Sequence, residues 1–182
     1  MIKLEPFEKD DFYKLIEWNE NKSADYLLQW AGPAYSFPLT LEQIENYFIN
    51  EVNKENSNIF VYKIKLAETN EIIGTVELRE TDKEKHEGRI CRFLIGNENI
   101  RGQGIGTLAL IEAIRIGFED LKFGKITLGV FDFNTNAIRC YEKTGFRIEN
   151  LRENARKSST GYWSIYDMAI TKDEFFRKTF NK

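Results

Sequence analysis

Apolar and polar positions alternate along several short stretches of the first half of the chain, which is the period of β-strands. Residues 59–66 and 72–79 are rich in β-branched and aromatic side chains and flank a turn-like polar segment, so they predict an antiparallel hairpin. Residues 88–95, which follow another polar turn, predict the next strand of the same meander. A shorter strand is expected at residues 1–4.

Helical spacing of apolar residues predicts two helices before this meander. The first is expected at residues 11–18, which begin with an acidic residue. The second is expected from Thr40 to about residue 53, since Thr40 and Gln43 form a capping box. The intervening residues 24–39 have irregular spacing, several aromatic side chains and two prolines, so we predict a loop that lines a pocket.

A strand–turn–helix–strand unit follows the meander. A glycine-rich turn, residues 101–107, leads into an amphipathic helix and, after Gly124, into an alternating strand at residues 125–131. The apolar face of this helix consists of Leu110, Ile111, Ile114, Phe118 and Leu121. Such a unit is a right-handed crossover, so the strands on either side of it are expected to be parallel.

The remaining pattern predicts one more helix and the closing strands. The helix is capped by Asn134 or Thr135, runs through Glu142 and is ended by Gly145. Beyond it we predict a strand at residues 146–151, a polar loop at 152–161, a strand at 162–170 and a helical tail capped by Thr171, in that order.

These elements predict a single α+β domain over residues 1–182, with no internal repeat or linker. Its centre is a mixed, mostly antiparallel sheet of about seven strands flanked by helices.

Amino-acid composition and net charge narrow the classes of function and ligand that the chain can have. With 42% hydrophobic and 14% aromatic residues the chain is globular, and its net charge of −3 gives no general attraction to nucleic acids or anionic membranes. A cationic small substrate suits that balance better. Cys91 and Cys140 both lie in predicted regular elements, which favours small buried hydrophobes over a disulfide or a metal pair. With no secretory signal or long apolar run, a cytoplasmic setting is expected.

The glycine-rich turn is suited to binding an anion. It reads Arg101, Gly102, Gln103, Gly104, Ile105, Gly106 and Thr107. Glycines let the backbone approach a phosphate closely, the first amides of the following helix point outward, and Arg101 adds a positive charge. A bare tight turn explains two of the glycines without explaining the arginine.

The same turn also matches the relaxed dinucleotide fingerprint G-x-G-x-x-A from Gly104 to Ala109, with Asp132 as the ribose ligand. The antiparallel meander before the turn argues against this alternative, because dinucleotide folds open with parallel units. The motif of a phosphate-loop NTPase, G-x-x-x-x-G-K-[ST], has no match in the sequence.

A second motif, N-x-x-A-x-x-x-Y-x-x-x-G-F at residues 134–146, follows one strand later. Together with the R-x-x-G-x-G pattern of Arg101, Gly104 and Gly106, it resembles the Gcn5-related N-acetyltransferase (GNAT) superfamily, and within it the bacterial ribosomal-protein-alanine and polyamine acetyltransferases. The well-matched part covers residues 91–149, and the rest agrees in its order of elements.

The resemblance implies acetyl-coenzyme A (acetyl-CoA) as co-substrate, with no metal, bound in a splay between two parallel strands. The residues that it assigns to the cofactor are Phe93, Leu94 and Ile95 on the strand, Arg101, Gly102, Gln103, Gly104, Ile105, Gly106 and Thr107 in the loop, and Asn134 and Asn136 at the later helix. An ordinary helix cap explains Asn134 equally well. The backbone of the strand would form hydrogen bonds with the pantetheine arm, and one backbone amide there would polarise the thioester carbonyl.

The resemblance also implies direct attack of an amine on the thioester. Tyr141 matches the family tyrosine that protonates the leaving thiolate, although a buried core aromatic is the alternative. Glu77 is the candidate base, facing away from its apolar strand neighbours, with a solvated strand glutamate as the alternative. Asp25 and Glu80 are rival bases, and His86 lies in a charged turn without a catalytic role.

Trp30, Tyr35 and Phe37 are candidates for the wall of the acceptor site, where aromatic faces hold an ammonium group, or else they cover a core. The acceptor itself stays open: polyamine, aminoglycoside, amino acid, peptide N-terminus or lysine side chain. The resemblance allows a homodimer. It also allows a different class of function, a non-catalytic acyl-CoA sensor or an interaction protein with the same fold.

Overall fold

The computed structural model describes the backbone of residues 1–180, and residues 181 and 182 of the predicted domain lie outside it. In this described part, seven strands form one sheet in the order β1-β2-β3-β4-β5-β7-β6. The strands are β1 (Ile2–Pro6), β2 (Ile59–Leu66), β3 (Ile72–Asp82), β4 (Glu87–Ile95), β5 (Lys125–Phe131), β6 (Arg147–Ser158) and β7 (Gly161–Thr171). Neighbours pair antiparallel except β4 and β5, which are parallel. The predicted mixed, mostly antiparallel sheet is confirmed.

Helices cover both faces of the sheet. They are α1 (Phe12–Asn19), α2 (Ala24–Ala31), α3 (Leu41–Tyr47), α4 (Ile105–Arg115), α5 (Thr135–Thr144) and α6 (Lys172–Phe180). The helices α3 and α4 each continue into a π-helical turn, at Phe48–Val52 and Ile116–Asp120. None of the helices in residues 1–180 is long and apolar enough to cross a bilayer.

Alternation along the strands divides the core into two apolar clusters, one on each face. Val76 and Leu78 of β3 pack with Leu110 and Ile114 of α4. On the opposite face, Leu94 of β4 packs with apolar residues of α1, α2 and α3. The open side of that second face, over β4, β5 and β7, carries the polar residues described below.

The predicted loop at residues 24–39 is wrong for its first half, which forms α2. The helix begins where the Ser23 hydroxyl accepts a hydrogen bond from the Tyr26 amide at 3.1 Å, and it ends at Gly32, whose φ is 60°. Leu27 and Ala31, one turn apart, face the core. The aromatic residues of this segment obscured the helical spacing.

The predicted polar loop at residues 152–161 is also wrong, because β6 continues to Ser158 and joins β7, which begins at Gly161, through a tight turn at residues 159–160. The strand lies at the edge of the sheet and is largely exposed along its length. An exposed edge strand carries polar side chains on both faces, so it lacks the alternation by which a strand is recognised.

Candidate active site

The parallel strands β4 and β5 separate after a short paired segment. They pair at three positions, of which Arg89 with Thr127 is the last, and beyond it β4 runs on to Ile95 and β5 to Phe131 without pairing. The two strands therefore present unpaired backbone edges to each other. Such edges can accept an extended amide-bearing chain as an added strand.

A β-bulge lies within the separated part of β4. Cys91 is paired with Glu77 of β3 and Leu94 with Thr75, so three steps on β4 oppose two on β3. The bulge places Arg92 at a φ of 45°, a left-handed conformation that is uncommon for a residue other than glycine. Bulges redirect side chains and interrupt ladder pairing, and they are frequent beside active sites.

The glycine turn leads from the end of β4 into α4. Gly104 is the N-cap of α4 with a φ of 81°, and Gly102 has a φ of 78°. A Cβ atom at either glycine would meet no atom within 4 Å, so the space above the turn is open. The first bond into the helix runs from the Leu108 amide to the Gly104 carbonyl, which leaves the amides of residues 105–107 without a helical acceptor. These features fit a phosphate group.

Arg101 contacts the end of β4 rather than the glycine amides. Its guanidinium donates twice to the Ile95 carbonyl, at 2.9 and 2.6 Å, and once to Glu98 at 2.9 Å and to the Tyr26 hydroxyl at 3.1 Å. The arginine thus holds the turn against β4 and α2. Its contact with a cofactor stays a prediction.

Helix α5 borders the turn from the other side. The Thr107 hydroxyl lies 3.4 Å from the Cys140 thiol, which connects α4 to α5. The side-chain oxygen of Asn134 accepts from the Ala137 amide at 3.2 Å, so it acts as the helix cap. Asn136 is exposed on the first turn. The roles predicted for these asparagines at the cofactor stay predictions, and the cap is the role visible in the contacts.

Tyr141, predicted as the general acid, projects from α5 toward the bulged part of β4. Its ring centre lies 6.5 Å from that of Phe93 and 6.1 Å from that of Phe146. The side chain is buried, and this burial raises the pKa of the phenol above its ordinary value. The hydroxyl therefore keeps its proton at neutral pH and can donate it to a nearby sulfur.

Glu77, predicted as the base, is buried in an ionic cluster and is not the solvated glutamate of the alternative. Its side chain is 1% exposed. One oxygen accepts from Arg92 at 2.9 Å and from Arg79 at 3.3 Å, and the other accepts from the Tyr47 hydroxyl at 2.7 Å. The Arg92 guanidinium also lies over the Tyr47 ring, 4.7 Å from its centre. Both carboxylate oxygens are already engaged.

The rival bases lie elsewhere. Asp25 accepts hydrogen bonds from the amide and the hydroxyl of Ser159 in the turn between β6 and β7. This contact joins α2 to the far hairpin. Glu80 is opposite Gly88, before the strands separate. His86 is exposed, as expected.

Of the three candidate acceptor-wall aromatics, Trp30 and Tyr35 are neighbours and Phe37 lies apart. Trp30 donates to the Asn19 side chain at 3.0 Å, and its ring centre is 6.2 Å from that of Tyr35. Tyr35 is buried and lies 5.5 Å from the Tyr47 ring, so it borders the Glu77 cluster. Phe37 is 54% exposed and lines a surface depression between α1 and α3 instead.

The sequence reasoning missed Tyr47, Arg79 and Arg92. The pattern Glu77-x-Arg79 on a strand does place both side chains on one face, so Arg79 had a usable signal. Simple alternation places Arg92 opposite to Cys91 and therefore away from Glu77. Only the bulge brings Arg92 to the carboxylate, and the sequence carries no signal for that bulge.

Burial raises the pKa of four tyrosines, most strongly at Tyr35, Tyr47 and Tyr141, and Glu77 adds to the shift at the first two of these. In the unfolded chain a tyrosine loses its proton near about pH 10, whereas these three still hold theirs in the folded chain. Above that pH the folded state binds more protons, so the free energy of unfolding falls as pH rises. We expect the melting temperature to fall above about pH 10, and less steeply in Tyr47→Phe. Melting curves across this range check it, with Tyr162→Phe at an exposed position as the control.

A family model described as "Acetyltransferase (GNAT) domain" matches residues 2–147. The chain belongs to the GNAT acetyltransferase family. The predicted dinucleotide alternative is therefore excluded, and acetyl-CoA is the co-substrate of this GNAT chain. The open space over the glycines, the free amides and the separated strands fit that molecule.

Individual GNAT relatives agree in fold but differ in substrate. The chain is 27% identical over 149 residues to spermidine N(1)-acetyltransferase of Escherichia coli K12, covering 81% of this chain and 74% of that protein. It is 26% identical over 150 residues to aminoglycoside N(6')-acetyltransferase type 1 of Klebsiella pneumoniae, covering 80% and 73%. The crystal structure of spermidine N-acetyltransferase from Vibrio cholerae in complex with CoA and spermine superposes with a TM-score of 0.82 at 20% identity, covering 96% of this chain and 98% of that one.

Proposed function

We propose that this GNAT chain transfers the acetyl group of acetyl-CoA to a primary amine of a small molecule or peptide, by direct attack while both are bound. The observation that carries the proposal is the continuity of two features. The unpaired edge of β4 leads directly into the glycine turn with its free helix amides. One extended ligand with a phosphate end can therefore use both.

The backbone does most of the binding in this proposal. The amides of residues 105–107 hold phosphate oxygens, and the unpaired edge of β4 around Phe93 and Leu94 bonds the amide-bearing arm. The Ile95 carbonyl already accepts from Arg101, so Arg101 positions the turn and leaves Phe93 and Leu94 as the free edge. Acetyl-CoA, when bound, supplies an activated thioester.

Tyr141 is the proton donor in this proposal. Its hydroxyl gives a proton to the departing sulfur, and its buried position next to Phe93 keeps the phenol protonated until that step. The bulged backbone at Arg92 and Phe93 orients an amide toward the developing negative charge on the carbonyl oxygen.

We assign Glu77 a positioning role in place of the predicted role as base. Both of its oxygens accept hydrogen bonds, and water reaches neither without displacing Tyr47 or an arginine. A carboxylate so placed fixes the guanidinium of Arg92 next to the bulge. Asp25 is likewise engaged, by Ser159. The attacking amine then binds in its neutral form and releases its proton to solvent.

Release of free thiol from acetyl-CoA in the presence of single amines tests the proposal. We expect amine-dependent release for at least one class among polyamines, aminoglycosides, amino acids, peptides and phosphate-bearing amines, above the rate of hydrolysis without amine. Mass spectrometry of the amine identifies the acetylated product. Calorimetric binding of coenzyme A without turnover on any amine would favour the acyl-CoA sensor, which no contact in the described residues favours.

Two further expectations remain predictions alongside this function. The reducing, cytoplasmic setting predicted from the sequence is the first of these. The homodimer allowed by the family resemblance is likewise a prediction, and light scattering of the purified chain measures it.

A further inference from the structure

The first of two ionic clusters on the open face of the sheet has more positive than negative charge. Arg79 and Arg92 share the single carboxylate of Glu77. The Nε atoms of both arginines are buried, and neither has a hydrogen-bond partner in the described part of the chain. A buried donor without an acceptor is costly and uncommon in folded proteins, so each of these atoms calls for an explanation.

The second cluster repeats the imbalance one strand further on. Arg152 holds Asp167 with two hydrogen bonds, at 2.7 and 2.9 Å. Arg89 lies 3.7 Å from the same carboxylate, and its one hydrogen bond is to the neutral hydroxyl of Thr127 at 3.4 Å. Gly129 makes room for this arrangement, because a Cβ atom there would lie 2.8 Å from Arg89. Asp167 is thus committed mainly to Arg152.

We call Arg79, Arg89, Arg92 and Arg152 the arginine face. These four positive charges share the two carboxylates of Glu77 and Asp167, which leaves a surplus of two. The side chains of Arg89 and Arg152 are 30% and 40% exposed. A ligand can therefore reach the surplus charge from solvent.

Two members of the arginine face also stand directly opposite each other. Arg79 of β3 and Arg89 of β4 are register partners in the antiparallel ladder. Like charges at this position destabilise a sheet. An anion bound over the two side chains offsets that repulsion, which a purely structural role for the two arginines does not.

The phosphate site of the proposed function is not the source of this anion. The glycine turn follows Ile95, whereas Arg89 is the last paired residue at the other end of the separated strand. Six residues of extended strand span about 20 Å. Arg89 thus places one end of the arginine face at the closed end of the splay, and Arg92 places the other end at the bulge.

We propose that the arginine face binds an anionic group of the acceptor, so the acceptor carries a carboxylate or a phosphate in addition to its amine. This inference rests on the proposed function. Guanidinium groups bind carboxylate and phosphate through paired hydrogen bonds, which also orient the ligand. The overall charge of −3 suits a cationic substrate, but the charge on this face is positive. A polyamine, the substrate named for the spermidine relatives, would meet repulsion here.

Matched pairs of amines test the inference through kcat/KM in the thiol-release assay. The pairs are α-amino acids with their amides, γ-aminobutyrate with its amide, and phosphoethanolamine with ethanolamine, and spermidine is measured alongside. We expect the best acceptor to carry an anion and to lose at least about tenfold in kcat/KM when that anion is neutralised. The amino-acid and phosphate arms distinguish a carboxylate from a phosphate.

Arg89→Gln tests the assignment to the arginine face, with Arg89→Lys as the variant that keeps the charge. We expect Arg89→Gln to raise KM for the anionic acceptor about tenfold and to leave KM for its neutral partner unchanged, and Arg89→Lys to restore part of the difference. Arg115→Gln, at an exposed ion pair on α4, is the control for loss of an arginine. Melting curves confirm that each variant is folded.

Two results would overturn the inference. The first is wild-type turnover of neutral or polycationic amines that equals or exceeds turnover of their anionic partners. The second is an Arg89→Gln variant that keeps the preference for the anionic partner. Absence of thiol release with every amine is a different outcome, since it contradicts the proposed function itself.

Discussion

Replacing Gly104 by valine is expected to raise the Michaelis constant for acetyl-CoA by at least about tenfold, equivalent to about 1.4 kcal/mol of binding. Gly104 caps α4 at a φ of 81°, a conformation that a β-branched residue avoids. Its missing side chain also leaves open the space above the amides of residues 105–107. Valine therefore both strains the turn and fills the place of a phosphate. Steady-state kinetics at saturating amine measure the change.

Two variants separate strain from obstruction. Gly161→Val introduces the same residue at another positive φ, 137°, in open space at the β6–β7 turn, and should leave the Michaelis constant for acetyl-CoA unchanged. Gly104→Ala keeps most of the backbone strain with a smaller side chain and should fall between wild type and Gly104→Val. A Michaelis constant for acetyl-CoA that is the same in Gly104→Val as in wild type would remove the turn from the cofactor site.

The strands of the meander and the βαβ crossover were predictable because their physics is local. Residues 59–66 alternate or are β-branched, and the apolar spacing after Gly106 is helical, so each segment carries its own signal. The two wrongly predicted loops, at residues 24–39 and 152–161, form elements that depend on non-local contacts. Helix α2 depends on burial of Leu27 and Ala31 against the rest of the fold, and β6 depends on pairing with β7. Neither tertiary interaction can be predicted from the local pattern of apolar and polar residues.

The residues of the candidate site also divide into those that local motifs predict and those that meet only in the folded sheet. The glycine turn and Tyr141 were found from motifs, in which residue type and spacing carry the chemistry directly. The arginine face was not found, since its members come from β3, β4 and β6 and meet only in the folded sheet. Arg92 is the sharpest case. A one-residue bulge turns it from one face of β4 to the other, and the charge of the cluster around Glu77 and Arg79 thereby changes from neutral to positive.

This contrast limits how far the identity of the substrate can be inferred from one relative to another. In the proposed function, the family motifs of this chain bind the cofactor through backbone atoms, which do not depend on side-chain identity. The acceptor in our proposal is recognised by side chains such as Arg79 and Arg89, which lie outside those motifs. Identity near 27% with a spermidine acetyltransferase therefore supports a common reaction and fold more strongly than a common acceptor.

Tyr141→Phe is expected to lower kcat by about a hundredfold with little change in the Michaelis constant for acetyl-CoA. The substitution removes the hydroxyl and keeps the ring contacts with Phe93 and Phe146, so the packing of α5 against β4 is retained. What is lost is the proton donor for the departing sulfur. Because burial raises the pKa of this phenol, wild-type kcat should also show no decline at the pH where an exposed tyrosine loses its proton, about 10.

Tyr62→Phe is the matched control, since Tyr62 is a tyrosine on β2 whose pKa is also raised by burial and which lies outside the site. It should leave kcat at the wild-type value. A structural role for Tyr141 predicts a different pattern, in which the variant melts at a lower temperature and kcat per folded molecule is unchanged. If kcat of Tyr141→Phe equals that of Tyr62→Phe, Tyr141 is a core residue, and the sulfur must take its proton from water admitted along the open edge of β4.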